Sequence, residues 1–455
     1  MLRARHLLLP AALAAGAIGT AAPTAQAETY CVSKAIGCAL GMPDLGGDLQ
    51  VALDFVASTP GADRLVVAPG TYVAPAGGFS VHGASPVAVT GAGDDTILQG
   101  GAQSVTIAVH GQEVSGVKVV VPTIPGGVGL FAEGSTTVED VTVTGSGSDR
   151  RGMHLEGPVL VRDSVVSVSG QSTVGVEAAI AQGSAPTVDG LTASAPTAYY
   201  ATGAGAPFSV HRLVSLGDGA DVVALGATVR LDHAVLEHES GAGSAIVAQC
   251  TAQPAVVVVD HVTAVSTSPG VDTAVLADCG TNASSTVTVA NSSLRGFGFL
   301  THRSAGAGAT ASVSFAYSDV LPGAVDPSSG PGSVSLGSGV FHAVDPGFVS
   351  TTNRRLAAGS ALIDAGDPAA SPFTVDLGGL PRTMGARQDV GAYEFQSAPP
   401  SAPAGGGGGG GSGTTGAGAS ASGSATVDGP AADAVPPTGS STAQPPAGRP
   451  VAAVS

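Results

Sequence analysis

Val114-Ser115-Gly116-Val117, Val138-Glu139-Asp140-Val141, Val161-Arg162-Asp163-Ser164 and Val188-Asp189-Gly190-Leu191 are successive copies of one pattern. It continues as Val210-His211-Arg212-Leu213, Leu231-Asp232-His233-Ala234, Val259-Asp260-His261-Val262 and Val289-Ala290-Asn291-Ser292, with Val313-Ser314-Phe315-Ala316 as a weaker ninth copy. An apolar anchor is followed by a polar residue, a turn-type residue and a second apolar-alternating run. The anchors lie 21 to 30 residues apart. That interval suits a coil whose turns carry loops of different length; propeller blades need roughly 40–50 residues. The third column holds Gly116, Asp140, Asp163, Gly190, Arg212, His233, His261 and Asn291. Gly, Asn, Asp and His best tolerate a left-handed backbone, so the column reads as a tight bend at the same point of every coil.

Between the anchors lie further short β-branched runs, such as Val128 to Ala132, Gly152 to Leu155, Val222 to Leu225, Ala245 to Cys250 and Ala274 to Cys279. Each coil therefore carries at least two strands with alternate residues inward. One coil cannot bury its own apolar face, but a stack of coils buries a continuous one. The reading is an all-β chain folded as a right-handed parallel β-helix, a solenoid of coils over residues 62–344. Ahead of it, Asp48 is placed to cap a short amphipathic helix, Leu49 to Ala57, within an N-terminal cap at 28–61. Arg64 to Val67 reads as the first coil strand. The last folded segment, 345–396, is expected to close the open end of the stack.

The two ends of the chain read differently. Arg3, Arg5 and His6 precede an apolar run, Leu7 to Ile18, and Ala25-Gln26-Ala27 supplies small residues for cleavage. Residues 1–27 thus read as an export signal. From Ser397 to Ser455 the chain is Ala, Gly, Pro, Ser and Thr, with seven glycines at Gly405 to Gly411. Such a tail cannot bury a core and is expected to be disordered.

The full chain has 34 acidic and 17 basic side chains. Loss of Arg3 and Arg5 with the signal leaves a net charge of −19. This excludes a nucleic-acid partner, which needs clustered Lys and Arg, and disfavours polyanionic sugars and anionic lipid. Trp is absent and Tyr numbers six, so no aromatic platform for stacking sugars is evident. No membrane span is expected in the mature chain, and a monomer, secreted or loosely held at the cell envelope, is the expected form.

Two segments resemble known families. Asp48 to Gly100, with Val67-Ala68-Pro69-Gly70-Thr71-Tyr72 and Gly91-Ala92-Gly93 before Thr96-Ile97-Leu98, looks like the entry to pectate-lyase-like β-helix proteins. Asp345-Pro346-Gly347-Phe348, Ser360 to Asp367, Asp376-Leu377-Gly378-Gly379 with Arg382, and Asp389-Val390-Gly391-Ala392-Tyr393-Glu394 resemble the choice-of-anchor Q family of bacterial surface proteins. The resemblance implies architecture and surface placement, with Asp376, Arg382 and Asp389 as charge-paired cap residues. Val435-Pro436-Pro437-Thr438-Gly439 resembles a sortase signal, but neither an apolar span nor a basic tail follows in 440–455, so release is expected.

The candidate chemistry is sparse. His211-Arg212, Asp232-His233 and Asp260-His261 fall on adjacent coils about 4.8 Å apart. Asp232, His233, Asp260 and His261 are the candidate catalytic residues, since a ladder of Asp and His can bind metal or move protons. The plainer reading makes His233 and His261 exposed turn residues that Asn would replace without loss. Asp94-Asp95, and Asp149-Arg150-Arg151 with His154 and Glu156, are further possibilities. The function expected is a non-catalytic extracellular surface for contacts with polysaccharide or cell-surface components, with no cofactor and no metal site. The alternative is a polysaccharide lyase or glycoside hydrolase, for which calcium is a possible cofactor. Four cysteines in an exported chain are expected to pair. Cys250 and Cys279 end equivalent runs on neighbouring coils, and Cys31 and Cys38 lie close together, so Cys31–Cys38 and Cys250–Cys279 are the expected links.

Overall fold

The computed structural model describes residues 27–396, except 34–37, 39–40, 84, 240–242, 269–271, 281, 322–327 and 370–371. The export signal at 1–27, apart from its last residue, and the Gly/Pro-rich tail at 397–455 lie outside the described residues. No described helix is long and apolar enough to cross a membrane.

Apolar alternation and recurring bends produce a parallel β-helix. The described strands form a 15-stranded and a 10-stranded sheet, and every ladder between named strands is parallel. Each central coil gives one short strand to the 10-stranded sheet and one longer, bent strand to the other. All eight expected anchors stand in register: Val114 pairs with Val138, Val138 with Val161, Val161 with Val188, and Val188 with Val210. Val210 then pairs with Leu231, Leu231 with Val259, and Val259 with Val289. Each is at most 1% exposed, so the ladder is the spine of the core.

The bend in each long strand is the left-handed residue read from the third column. Its φ is 51° at Asp140, 41° at Asp163, 53° at Arg212, 50° at His233, 54° at His261 and 48° at Asn291. The ninth copy needs correction. Val289 pairs with Phe315, not Val313, and the bend falls on Tyr317 at φ 45°. A shift of two residues keeps the same face inward, so the alternating pattern alone could not distinguish the two registers. The stack also starts earlier than expected. Thr29–Val32 forms a rung ahead of Asp63–Val67, with Tyr30 against Leu65 in the anchor line.

The helix Leu49–Ser58 caps this end. Asp48 accepts a hydrogen bond from the Val51 N–H at 3.2 Å, and Leu49, Ala52, Leu53 and Val56 are buried against the first coils. The two disulfides are Cys31–Cys38 and Cys250–Cys279. The second joins neighbouring short strands, where Gln249 and Asp278 pair just before it, and its Cα atoms are 4.8 Å apart. Replacing Cys250 and Cys279 together by Ala is expected to lower stability by roughly 2–4 kcal/mol. Chemical denaturation under non-reducing conditions measures this, and an unshifted midpoint would count against the link as a stabiliser.

Residues 345–396 do not close the open end. They fold back as a strap along the bend line of the long sheet, over the coils of Glu237, His261, Thr263 and Asn291. The reason is a set of polar hooks. Asn291 accepts the Asp367 N–H on its side chain (2.7 Å) and the Gly391 N–H on its carbonyl (2.8 Å). Thr263 accepts the Ala392 N–H (3.0 Å), and Arg354 donates to Glu237 (3.0 Å). The far end of the long sheet is instead left to Val334–Leu336, which pairs with Thr310–Ala316.

The strap has a small apolar cluster of its own in Leu356, Leu362 and Val390 with Ala343. Carboxylates tie its turns together. Asp376 accepts the Leu380 and Glu394 N–H groups, Asp389 those of Asp364 and Phe395, and Glu394 those of Met384 and Asp389. At their centre Arg382, 1% exposed, donates to the carbonyls of Asp389 (2.7 Å) and Gly391 (2.9 Å) and lies 3.9 Å from Glu394.

Candidate functional site

The polar ladder on the bend line is assembled as the register required. Asp189 pairs with His211, His211 with Asp232, and Asp232 with Asp260 on consecutive coils. Asp232 accepts from His211 Nδ1 at 2.6 Å and faces His233 Nδ1 at 3.0 Å. Burial pushes its carboxyl up, but the two imidazole hydrogen bonds outweigh that and hold it below the usual range. Arg212 donates to Asp189 (2.6 Å) and Asp163 (3.1 Å), extending the chain of pairs.

His233 and His261 are not exposed, contrary to expectation, and Asp232 is buried with them. Asp232 is 4% exposed, His233 3% and His261 0%, because the strap lies over them. The imidazoles of His233 and His261 stack at 5.3 Å, and the ring of Phe373 meets His233 edge-on at 4.6 Å. His261 Nε2 bonds Gln388 Oε1 at 2.9 Å. The Gln388 amide nitrogen is committed to the Asp367 and Ala369 carbonyls, which fixes Nε2 as the donor. Burial drives the His261 pKa down to about 4, against the raising effect of Asp260. Burial likewise pushes Glu394 on the strap up to about 7. The two act oppositely on docking: His261 withdraws stability as pH falls below about 6.5, and Glu394 withdraws it as pH rises above about 4.5. Left-handed backbone and a buried interface account for His233 and His261. Asn keeps the bend but loses the Phe373 and Gln388 contacts, so the substitution is no longer expected to be silent.

The outer face of the short sheet is open, and there Arg150 meets the Thr123 carbonyl while Arg151 and His154 both meet Glu177, partners the sequence alone did not indicate. On the outward face Ala108, Phe131, His154, Glu177 and Tyr200 stand in register on successive coils. A parallel column holds His110, Glu133 and Glu156. His154 lies between two carboxylates, 2.9 Å from Glu156 through Nε2 and 3.3 Å from Glu177 through Nδ1. Arg151 pairs with Glu177, and His110 meets Glu133 at 2.7 Å. The Phe131 ring stacks on His154 at 5.5 Å, so the rings stand as rungs across the coils.

Two shallow hollows flank this row. One, about 280 Å³, is lined by Asp149, Arg150, Arg151, Ser172, Glu177 and Tyr200 among others. The other, about 320 Å³, is lined by His110, Glu133, Glu156, Pro158 and Gln182 among others. A larger hollow of about 480 Å³ lies at the N-terminal helix, where Asp48 is the single charged group among largely apolar walls. The short-sheet row is therefore the better site: it combines donors, acceptors and carboxylates on a rigid, open face. Asp94 and Asp95 stay exposed on the long sheet and join no such row. Among the described residues no group of three or more His, Cys, Asp or Glu is arranged to hold a metal ion.

No protein-family model and no curated protein matches the chain. Among solved structures, pectate lyase Pel9A is similar at 14% identity and a TM-score of 0.40, over 82% of this chain and 97% of that one. The A-module of the Azotobacter vinelandii mannuronan C-5 epimerase AlgE6 is similar at 13% identity and a TM-score of 0.28, over 66% and 91% respectively. The β-helix assignment rests on the strand register described above.

Proposed function

We propose that this chain is an exported, non-catalytic β-helix that binds a polysaccharide along the outer face of its short sheet. The observation that carries the reading is the in-register row from Phe131 to Tyr200 with its flanking glutamates. Its carboxylates, imidazoles, guanidinium and phenol are the donors and acceptors that hydroxyl-rich polymers need, repeated once per coil on paired strands. Export is supported by the two disulfides, which form and persist in oxidising compartments. The surface placement implied by the choice-of-anchor Q resemblance belongs to the same proposal.

The non-catalytic part rests on pairing. Glu177 is engaged by Arg151 and His154, Glu156 by His154, and Glu133 by His110. A general acid or base needs a group free to face the reacting atom. One observation favours a second reading, glycoside hydrolysis: a single imidazole between Glu156 and Glu177 sets two carboxylates within the roughly 5–10 Å range that reaction uses.

Incubation with a polysaccharide panel, with and without calcium, separates these readings. The expected result is retardation of the protein in polysaccharide-containing native gels, with no new reducing ends and no unsaturated products. New ends would overturn the non-catalytic reading, and failure to bind any polysaccharide would overturn the ligand class.

A further inference from the structure

We infer that the polymer this face takes is a neutral polysaccharide and not a polyuronate, an inference that rests on the binding role proposed above. The reason is the local charge balance. Around the row two arginines, Arg150 and Arg151, stand among four carboxylates, Asp149, Glu133, Glu156 and Glu177. Neither arginine is presented free. Arg151 is paired with Glu177, and Arg150 donates to the Thr123 carbonyl at 2.7 Å while its guanidinium packs over Gly147. Both histidines of the row are also set against glutamates.

A polyuronate brings one carboxylate per sugar, and successive coils would have to meet that charge with an unpaired cation at each step. This face presents glutamate instead, on a chain of net charge −17. Like charges brought together across a contact disfavour association. A neutral sugar offers hydroxyls that donate to Glu133, Glu156 and Glu177 and accept from Arg151 and Tyr200, without displacing the existing ion pairs. The glutamates therefore act as selectivity groups: they accept hydroxyl donors and repel acidic polymers.

The test uses the full chain and its variants Glu177→Gln and Glu156→Gln. Binding is measured by native affinity electrophoresis against a mixed-linkage β-glucan, a glucomannan, polygalacturonate and alginate, at low and high salt. The wild type is expected to bind at least one neutral polymer with little salt dependence, and the two polyuronates at least roughly tenfold more weakly. Glu177→Gln frees Arg151 and is expected to raise polyuronate affinity roughly tenfold, in a salt-sensitive manner. Glu156→Gln, one coil earlier, keeps the Arg151 pair but removes a repelling carboxylate beside His154, and carries the test through a smaller gain should Glu177→Gln disturb the fold by circular dichroism. Wild-type preference for a polyuronate would overturn the inference and leave the polysaccharide-binding role standing. Folded Gln variants that gain no polyuronate affinity would also overturn it. Absence of binding to all four polymers would remove the binding role itself.

Discussion

Arg382→Met is expected to unseat the strap while leaving the coils folded. Arg382 is buried at the centre of Asp376, Asp389 and Glu394, and it is the cation that offsets them. Methionine fills much the same volume but leaves those carboxyls unopposed and the Asp389 and Gly391 carbonyls without their donor. Breaking a buried charge cluster by removing one partner costs about 3–5 kcal/mol. The strap's fully buried core is small, Leu356, Leu362 and Val390 with Ala343 and a rim of partly buried side chains such as Phe348 and Phe395, and its described residues form no helix or named strand. Limited proteolysis is the measurement. New cleavage within 345–396 is expected, with the disulfide-linked coils remaining resistant. A proteolytic pattern unchanged from the wild type would show that the hooks at Asn291 and Thr263 suffice without Arg382.

The second large effect lies inside the solenoid. His238 is fully buried and stands between two buried aspartates from neighbouring coils, 3.4 Å from Asp221 and 3.9 Å from Asp272. Ser215 and Ser266 donate to those carboxylates from the adjoining strands. Burial pushes the imidazole toward its neutral form, but the adjacent Asp221 carboxylate and the charges of Asp272 and Asp218 outweigh it, so its pKa is raised. When protonated, the group is an internal cation shared by three coils. Its contribution is complete below the unfolded pKa of about 6.5 and is lost as pH rises through the folded value. His238→Gln removes the imidazole set between these two buried carboxylates and is expected to cost about 3–5 kcal/mol at acid to neutral pH. The difference from the wild type should shrink as pH is raised, which urea denaturation across an alkaline series would show. A constant difference would mean that His238 contributes by packing alone.

The reach of sequence reasoning differed between the faces for a physical reason. The anchors and the bend column were legible because burial and left-handed backbone each restrict residue type strongly, and both recur once per coil. The register of Cys250 and Cys279 followed from the same ladder. Phe315 was missed because alternation cannot detect a two-residue shift. The strap's position was not legible, since its hooks on Asn291, Thr263 and Glu237 are scattered long-range hydrogen bonds with no sequence period. The short-sheet row left a signal that was not used. Ala108, Phe131, His154, Glu177, Tyr200 and Val223 follow one another at intervals of 23 residues, while the anchors vary. Stepping by 23 from His154 finds Phe131, Glu177 and Tyr200. His238 gave no such signal, because its partners come from different positions of their coils.

The strap also has a mechanical consequence. A pull on the C-terminal side of Gln396 enters the molecule through the strap, whose hooks reach back to the coils of Glu237, Thr263 and Asn291. Tension is therefore delivered to the flank of the stack, several coils before the final rung at Val334–Leu336. Those same coils carry the Cys250–Cys279 bond, which a pull cannot extend. The strap's hydrogen bonds to those coils must break before a pull from this end reaches the final rung through the chain that joins them. Resistance to forced unfolding is governed by the unfolding rate and not by equilibrium stability. The strap thus sets where the molecule would yield if held by its C-terminal end.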